Sequence, residues 1–553
     1  MLLLEANKIE KSYGDRLLFR VEKVEVLDGD RIGIVGRNGT GKTTLLRILA
    51  QEDQPDAGEV RTFAKMAMIH QLEGEASESP SAKGIRTWGV KKVHAALSGG
   101  ERNRLRIAAA MEKRAPLLLA DEPTSHLDLP GIKQLEKAIQ AYRGAIVLIS
   151  HDRELLDAVC TQIWEVDDGK VTAYRGNYSS YCLQKEQLRN REWQEYEAYE
   201  KEKARLVEAA KEKKKQSERI RDTPKRMGNS EARLHKRSAN TKRGKLDQSA
   251  KALESRLAQL EKKEKPREMP QVKFDLHYGD EFLGRTVVHC ESATIQAGDR
   301  VLFSDLSFSV RPGQKVALIG ANGTGKSTLL SMIYDRAHGF TLPQSAKIGY
   351  FHQMLNTLDP ALSILENVQM SSRYPQALIQ TALARLYFQR EAVHKPVAML
   401  SGGERVKVAL AKVFLGDYNV LLLDEPTNYL DIPTQEELEQ ILADYPGTIL
   451  FATHDRRLIH RLADAVLSLD EPEPFLFTGS FQEFLERMER RRNPRSGTNR
   501  EEQQLLLETR VSKLISQLSA PKGELSEGEK ERLEKEYQEA LQELRKWKIE
   551  ENS

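Results

Sequence analysis

The 553-residue chain repeats itself, and the repeated unit is built around a glycine loop set between a strand pattern and a helix pattern. Gly36-Arg-Asn-Gly-Thr-Gly-Lys-Thr43 returns as Gly320-Ala-Asn-Gly-Thr-Gly-Lys-Ser327, offset by 284 residues. Leu97-Ser-Gly-Gly-Glu101 returns as Leu400-Ser-Gly-Gly-Glu404, Asp121-Glu-Pro-Thr124 as Asp424-Glu-Pro-Thr427, and Ser150-His-Asp152 as Thr453-His-Asp455, all offset by 303 residues. The second copy therefore holds 19 extra residues, nearly all of them after Gln71 and Gln353, which are offset by 282. Four ordered motifs with the same internal spacing leave no room for a chance match.

The local patterns around these motifs alternate strand with helix. Arg31–Val35, Leu117–Ala120 and Ala145–Ile149, with Lys315–Ile319, Val420–Leu423 and Thr448–Ala452, are short apolar runs of the kind buried on both faces of a parallel sheet. Thr44–Leu49 and Thr328–Ile333 begin helices. The fold class expected is α/β, with two tandem phosphate-loop domains at 1–181 and 271–483, the second sheet region starting near 286. Between them, 182–270 is rich in Glu, Lys, Gln and Arg and reads as two antiparallel helices of about 30 residues, each about 45 Å long. Trp193, Tyr196 and Tyr199 share one helical face, as do Leu246, Leu253, Leu257 and Leu260, while Pro224 and Gly228 interrupt the pattern. Residues 484–553 are expected to form a C-terminal helical hairpin extension. A basic connector near Arg490–Arg500 leads to two heptad seams, Leu507–Leu518 and Leu533–Trp547, separated by a Ser526/Glu529 capping box.

The glycine loop specifies a phosphate cradle: its glycines allow backbone N–H groups to close around phosphate oxygens at a helix N-terminus. Gly36, Arg37, Asn38, Gly39, Thr40, Gly41, Lys42, Thr43 and Thr44 form the first cradle. Gly320, Ala321, Asn322, Gly323, Thr324, Gly325, Lys326, Ser327 and Thr328 form the second. Lys42 and Lys326 neutralise the β- and γ-phosphates of a nucleoside triphosphate, and the hydroxyls of Thr43 and Ser327 suit Mg²⁺. Asp121 and Asp424 end apolar strands and suit the same ion. Glu122 and Glu425 follow directly and are placed to polarise an attacking water; His151 and His454 are placed to orient it, and Gln71 and Gln353 to add a metal or water ligand. Each acid, His or Gln alone would read as an ordinary strand-end polar residue. Their common order beside two glycine loops makes a nucleoside triphosphate with Mg²⁺ the expected ligand set and water attack on the γ-phosphate the expected reaction.

No run approaches the about 18 apolar residues a spanning helix needs. Met1-Leu-Leu-Leu-Glu5 lacks a basic segment and a cleavage site, and three cysteines make neither a disulfide framework nor a zinc site. A soluble cytoplasmic protein is expected. The net charge of +3 is unevenly spread: residues 201–245 carry 17 Lys/Arg against 6 Asp/Glu, a local +11 in a chain otherwise at −8. That asymmetry points to a polyanion at the helical linker rather than to a merely solvated face. Aromatic residues are absent between Ile220 and Lys245, so the linker offers charge rather than ring stacking to such a partner.

These motifs resemble those of the ATP-binding cassette ATPases, whose signature is Leu-Ser-Gly-Gly-Glu. The resemblance covers both α/β domains and implies two cassettes closing head to tail. It then places Ser401, Gly402, Gly403 and Glu404 on the nucleotide held by Lys42, and Ser98, Gly99, Gly100 and Glu101 on the one held by Lys326. Asp128 and Asp431 match the loop that joins the sites. All elements are intact in both copies. One departure concerns the adenine platform: Tyr13 stands where the family stacks an aromatic, whereas the aligned position in the second half is Ala297, which implies a weaker base grip there.

Fused cassettes joined by a basic helical linker, without membrane spans, resemble the ABC-F proteins. Only 25 residues separate Gln71 from Leu97, too few for the arm that housekeeping members insert there. The compact first cassette, and the linker segment Met227-Gly-Asn-Ser-Glu-Ala-Arg-Leu-His235, resemble the antibiotic-resistance branch. The resemblance implies a monomer with two intramolecular ATP sites, binding the 70S ribosome with 23S rRNA and P-site tRNA at linker residues 201–245, and using neither DNA nor membrane. It further implies displacement of lincosamide, streptogramin A or pleuromutilin drugs. A general translation factor and, further off, a transporter ATPase subunit or a DNA-repair ATPase stay open as alternatives.

Overall fold

In the computed structural model, residues 1–14, 16–71, 80–90, 97–220, 229–266, 285–297, 300–352, 357–388, 391–470 and 474–492 are described. The organising element of the first half is the strand Arg31–Gly36, whose four central residues are all buried. It lies inside a nine-stranded sheet, pairing in parallel with Gln162–Asp167 on one side and Ala145–Ile149 on the other. Leu117–Asp121 and Met66–Ile69 continue the parallel part. Beyond Gln162–Asp167, the antiparallel Lys170–Arg175 leads to the hairpin Leu2–Tyr13 and Arg16–Leu27 and to the edge strand Ala57–Thr62.

Side-chain alternation divides the core between the two faces of this sheet. Leu117 and Leu119 point with Ile32 and Ile34 toward the helix Lys42–Leu49 and the N-terminal hairpin. Leu118 and Ala120 point toward Ile107, Leu135 and Leu155, which belong to the helices Gly99–Glu112, Leu129–Gln140 and Arg153–Val159. Each fully buried Leu or Ile contributes about 1.5–3 kcal/mol. Two-sided burial is why these strands read as unbroken apolar runs. The hairpin was not legible in that way. The strand Leu2–Tyr13 is buried at Leu3, Leu4, Ala6 and Ile9, and its antiparallel partner Arg16–Leu27 mixes buried Leu18, Phe19, Val21, Val24 and Val26 with exposed residues.

The described residues form two compact units. The first gathers Met1–His277 with Met354–Asp417 and Thr427–Asp444. It thus takes in helices encoded by the second half: Ile364–Gln369, Gln376–Arg385, Gly402–Phe414 and Ile432–Asp444. The second unit has a six-stranded sheet ordered Ile348–Phe351, Val420–Asp424, Thr448–Ala452, Lys315–Ile319, Ala465–Ser468 and Phe475–Thr478, antiparallel only at the last pair. A three-stranded antiparallel sheet of Val288–Ala297, Arg300–Val310 and Phe340–Thr341 shares its core through Cys290, Ile295, Leu306 and Phe308. The α/β fold class is as the motifs indicate, with antiparallel strands extending the first sheet and a separate antiparallel sheet in the second unit.

The linker is helical from Tyr178 to Arg219, 42 residues, and again over Asn229–Gln259, 31 residues. The first helix is longer than expected because Asn177 caps it upstream of the linker's compositional start, accepting from the Ser180 N–H. The two run antiparallel: Ser217 donates to Asp247 at 2.6 Å, Lys214 meets Glu254 at 2.5 Å, and Lys263 meets Glu195 at 3.5 Å. Leu206, Ala210 and Ala250 are buried between them. The expected break at Pro224, the C-terminal connector past Arg492 and the C-terminal hairpin lie outside the described residues. Among the described residues, no helix is long and apolar enough to cross a membrane.

Candidate nucleotide-binding sites

In a parallel sheet the carboxyl ends of the strands share one edge. The edge of the first sheet collects Gly36, His70-Gln71, Asp121-Glu122 and Ser150-His151. Gly36 has φ 150°, and a Cβ there would lie 2.3 Å from the Val166 carbonyl; Gly41, at φ 95°, abuts the Phe19 ring. Only glycine permits this loop. Lys42 opens the helix and folds back, donating to the Gly36 and Arg37 carbonyls at 2.8 and 2.9 Å, and is 8% exposed. The Thr43 hydroxyl lies 3.4 Å from Asp121 Oδ1. The second cradle repeats this. Lys326 donates to Gly320 and Ala321 at 2.7 and 3.2 Å, Gly323 and Gly325 take φ 79° and 99°, and the Ser327 hydroxyl hydrogen-bonds Asp424.

The two glutamates occupy equivalent strained positions, Glu122 at φ 48° and Glu425 at φ 51°. Their amides donate to the Ile149 and Ala452 carbonyls at 3.0 and 2.8 Å, so the neighbouring strand sets this turn. His151 Nε2 lies 3.3 Å from Glu122 Oε1, and His454 Nε2 lies 3.4 Å from Glu425 Oε1 and 3.1 Å from Asn322 Oδ1. Burial pushes the Glu122 carboxyl up to about 8; Asp121 adds to the rise and Lys42 opposes it. Burial likewise pushes Glu425 up to about 8, with Lys326 opposing. Burial, then Lys42, brings His151 down to about 3. Burial also raises Asp121, which Thr43 partly offsets, and lowers Lys42.

Residues from the second half complete the surroundings of the first loop, all within the first unit. Asn38 N–H donates to Asp431 Oδ2 at 2.8 Å, and Asn38 Nδ2 to the Tyr429 carbonyl at 2.8 Å. A Cβ on Gly403 would lie 3.3 Å from Asn38 Nδ2. Ser401 and Glu404 form a reciprocal capping box that starts the helix Gly402–Phe414; Ser98 and Glu101 do the same for Gly99–Glu112. The latter segment belongs to the first unit and Lys326 to the second.

Other expected residues fall as follows. Tyr13 is 58% exposed at the end of its strand, with Lys11 Nζ 5.9 Å from the ring. It pairs with Arg16 where, in the second hairpin, Ala297 pairs with Arg300, so the two positions are structurally equivalent. Gln71 is exposed, its carbonyl accepting from Arg106 at 3.2 Å. Gln353 lies outside the described residues. Sequence reading missed Tyr387, Lys407 and the buried pair Arg153–Glu439, which join segments too distant in sequence for any local pattern to link.

Both cradles fit a triphosphate with Mg²⁺. Lys42 and Lys326 are buried cations aimed at backbone carbonyls, Thr43/Asp121 and Ser327/Asp424 are hard oxygen donors of the kind Mg²⁺ takes, and Glu122 Oε1 is buried without a hydrogen-bond partner among the described residues.

The chain matches the family model described as ABC transporter over residues 21–85, 75–125 and 303–428. It is 31% identical over 472 residues to the erythromycin resistance ATP-binding protein MsrA of Staphylococcus epidermidis, across 83% of this chain and 96% of that protein. It is 32% identical over 518 residues to the ribosome protection protein VmlR of Bacillus subtilis, across 91% of both. Among solved structures it resembles the archaeal ribosome recycling factor aABCE1, crystallised with the ribosomal stalk protein aP1. The TM-score is 0.60 at 19% identity, over 87% of this chain and 92% of that one, a likeness of fold.

Proposed function

Because the chain belongs to the ABC-F subfamily of the ATP-binding cassette ATPases, we propose that its ATP hydrolysis serves ribosome protection in the cytoplasm. The reading is carried by one juxtaposition: two complete ATP motif sets in one chain with a helix pair whose 201–245 segment bears a net +11. Lys/Arg side chains at that density neutralise rRNA phosphates irrespective of sequence. Two of the relatives are named for erythromycin resistance and for ribosome protection, which supports the resistance branch over a general translation factor.

In the proposed cycle, Ser401–Glu404 close on the nucleotide at Lys42 and Ser98–Glu101 on that at Lys326. Glu122 and Glu425 polarise the attacking waters, oriented by His151 and His454. Thr43 and Asp121 with Gln71, and Ser327 and Asp424 with Gln353, would hold Mg²⁺, which would supply neutralisation of phosphate charge. The ATP-bound form holds the linker in the tRNA exit site, beside P-site tRNA and the peptidyl-transferase centre, where docking displaces lincosamide, streptogramin A or pleuromutilin drugs. Hydrolysis releases the ribosome.

The Glu122→Gln/Glu425→Gln double variant is expected to co-sediment with 70S ribosomes in ATP and not in ADP. No co-sedimentation in ATP overturns ribosome binding. Unchanged inhibitory concentrations across a panel of these drugs and erythromycin, with and without the gene, overturn the resistance role in favour of a general factor.

A further inference from the structure

The phosphate loop on Lys42 has a side-chain contact that its duplicate cannot make. Arg37 contributes its carbonyl to the cradle, accepting from Lys42 Nζ at 2.9 Å and from the Thr40 hydroxyl at 2.9 Å. Its guanidinium leaves the cradle and lies 4.6 Å from the ring centroid of Tyr387. The same ring receives Lys407 Nζ at 5.5 Å, from the signature helix Gly402–Phe414. Lys407 is 8% exposed. One aromatic face system therefore joins a cation of the first loop to a buried cation three residues beyond Glu404. Next to it, Asn38 N–H donates to Asp431, whose carboxylate balances the positive charge around Lys407.

The backbone at Tyr387 indicates that the ring is retained for a purpose. Tyr387 follows the helix Gln376–Arg385 at φ 67°. Its N–H donates to the Ala384 carbonyl at 3.0 Å, and the Phe388 N–H to the Leu383 carbonyl at 3.0 Å. That is the helix-ending motif in which the left-handed position is normally glycine, so an aromatic there is strained. Both partners are also specific to this site. The residue aligned with Arg37 is Ala321, and Tyr387 lies in the stretch between Gln353 and Leu400 that is 21 residues longer than its counterpart between Gln71 and Leu97.

We propose that Arg37 and Tyr387 form a latch that positions the signature segment Ser401–Glu404 on the nucleotide at Lys42, a closing contact that Ala321 at the matching position of the Lys326 loop cannot make, so that the two ATP sites are mechanically unequal. Arg37 and Tyr387 are positioning residues. The inference deepens the reading that Ser401–Glu404 serve the Lys42 nucleotide. That reading has its own test: Ser401→Arg in full-length Glu425→Gln protein abolishes the remaining first-site turnover, whatever the latch does.

In the same Glu425→Gln background, Arg37→Ala and Tyr387→Ala are each expected to lower kcat about tenfold, the scale of a partly desolvated cation–π contact. The double substitution is expected to be no worse than either single one, and Tyr387→Phe and Arg37→Lys to restore most of the rate. For Tyr387→Ala, which lies outside the cradle, the dissociation constant of a fluorescent ATP analogue is expected to change less than about threefold. Additive losses, failure of Tyr387→Phe to restore turnover, or a dissociation constant that weakens in step with kcat overturns the latch. Melting temperatures guard against misfolding: a Tyr387→Ala protein that melts as the parent and loses turnover supports the proposal, and one that keeps full turnover overturns it.

Discussion

Glu122 and Glu425 hold the left-handed backbone that L-residues avoid, at a cost of about 1–3 kcal/mol each, and are buried beside a second carboxylate. Strain and desolvation at one residue, repeated in both sites, mark a group placed for chemistry rather than for stability. Their pH linkage follows. In nucleotide-free protein each carboxyl titrates near 8 instead of its ordinary 4.5, so each contributes stability that is fully present below 4.5 and lost as pH rises through about 8. The Glu122→Gln/Glu425→Gln variant stays neutral throughout. Its melting temperature in EDTA is expected to fall less than the parent's between about pH 5 and pH 9; a parallel decline in both proteins refutes the assignment. The identity of these residues was readable from Asp-Glu after an apolar strand. The depth of their burial was not, because it depends on strands and helices brought in from elsewhere.

At the scale of elements, the parallel strands announced themselves because burial on both faces demands continuous apolar runs. The N-terminal hairpin, half-buried and interrupted by Glu and Lys, did not. The linker lay between these cases. Its leucine and aromatic faces were visible, and the structure pairs the helices through Leu206, Ala210 and Ala250 with Ser217–Asp247 alongside. Because so few apolar side chains lie between two long charged helices, each carries much of their cohesion. Leu206→Ala is expected to cost about 2–5 kcal/mol locally and to speed amide exchange across 200–217 and 245–256 while the sheet amides stay protected. Uniform exchange throughout, or none beyond the parent's, contradicts a helix pair held at that point.

For the whole molecule, the described contacts do not follow the duplicated halves. Helices of the second half cluster with the first unit, and Arg153, 4% exposed, forms a salt bridge with Glu439, itself buried, 286 residues away. Glu436 lies 3.7 Å from Arg153 and also within 3.5 Å of the Tyr178 hydroxyl at the start of the linker helix. Removing one member of such a pair strands the other charge in the core. Arg153→Met is expected to destabilise the protein by about 3–5 kcal/mol, and Arg153→Met with Glu439→Met to recover most of that loss. Denaturant unfolding that shows the double variant as unstable as the single one would show that the pair is not what joins these segments.

The sequence by itself determined the duplication, the α/β class, the two phosphate cradles with their acids, and the charge concentrated in the linker. Each of these is written in short-range spacing, periodicity or composition, which local sterics and side-chain burial translate directly into structure. Only the tertiary structure decided that the helices encoded near Leu400 and Asp431 stand beside Asn38, that Arg37 finds Tyr387, and that Arg153 finds Glu439. Those contacts join residues hundreds of positions apart, and packing in three dimensions selects such partners without leaving a periodic trace along the chain.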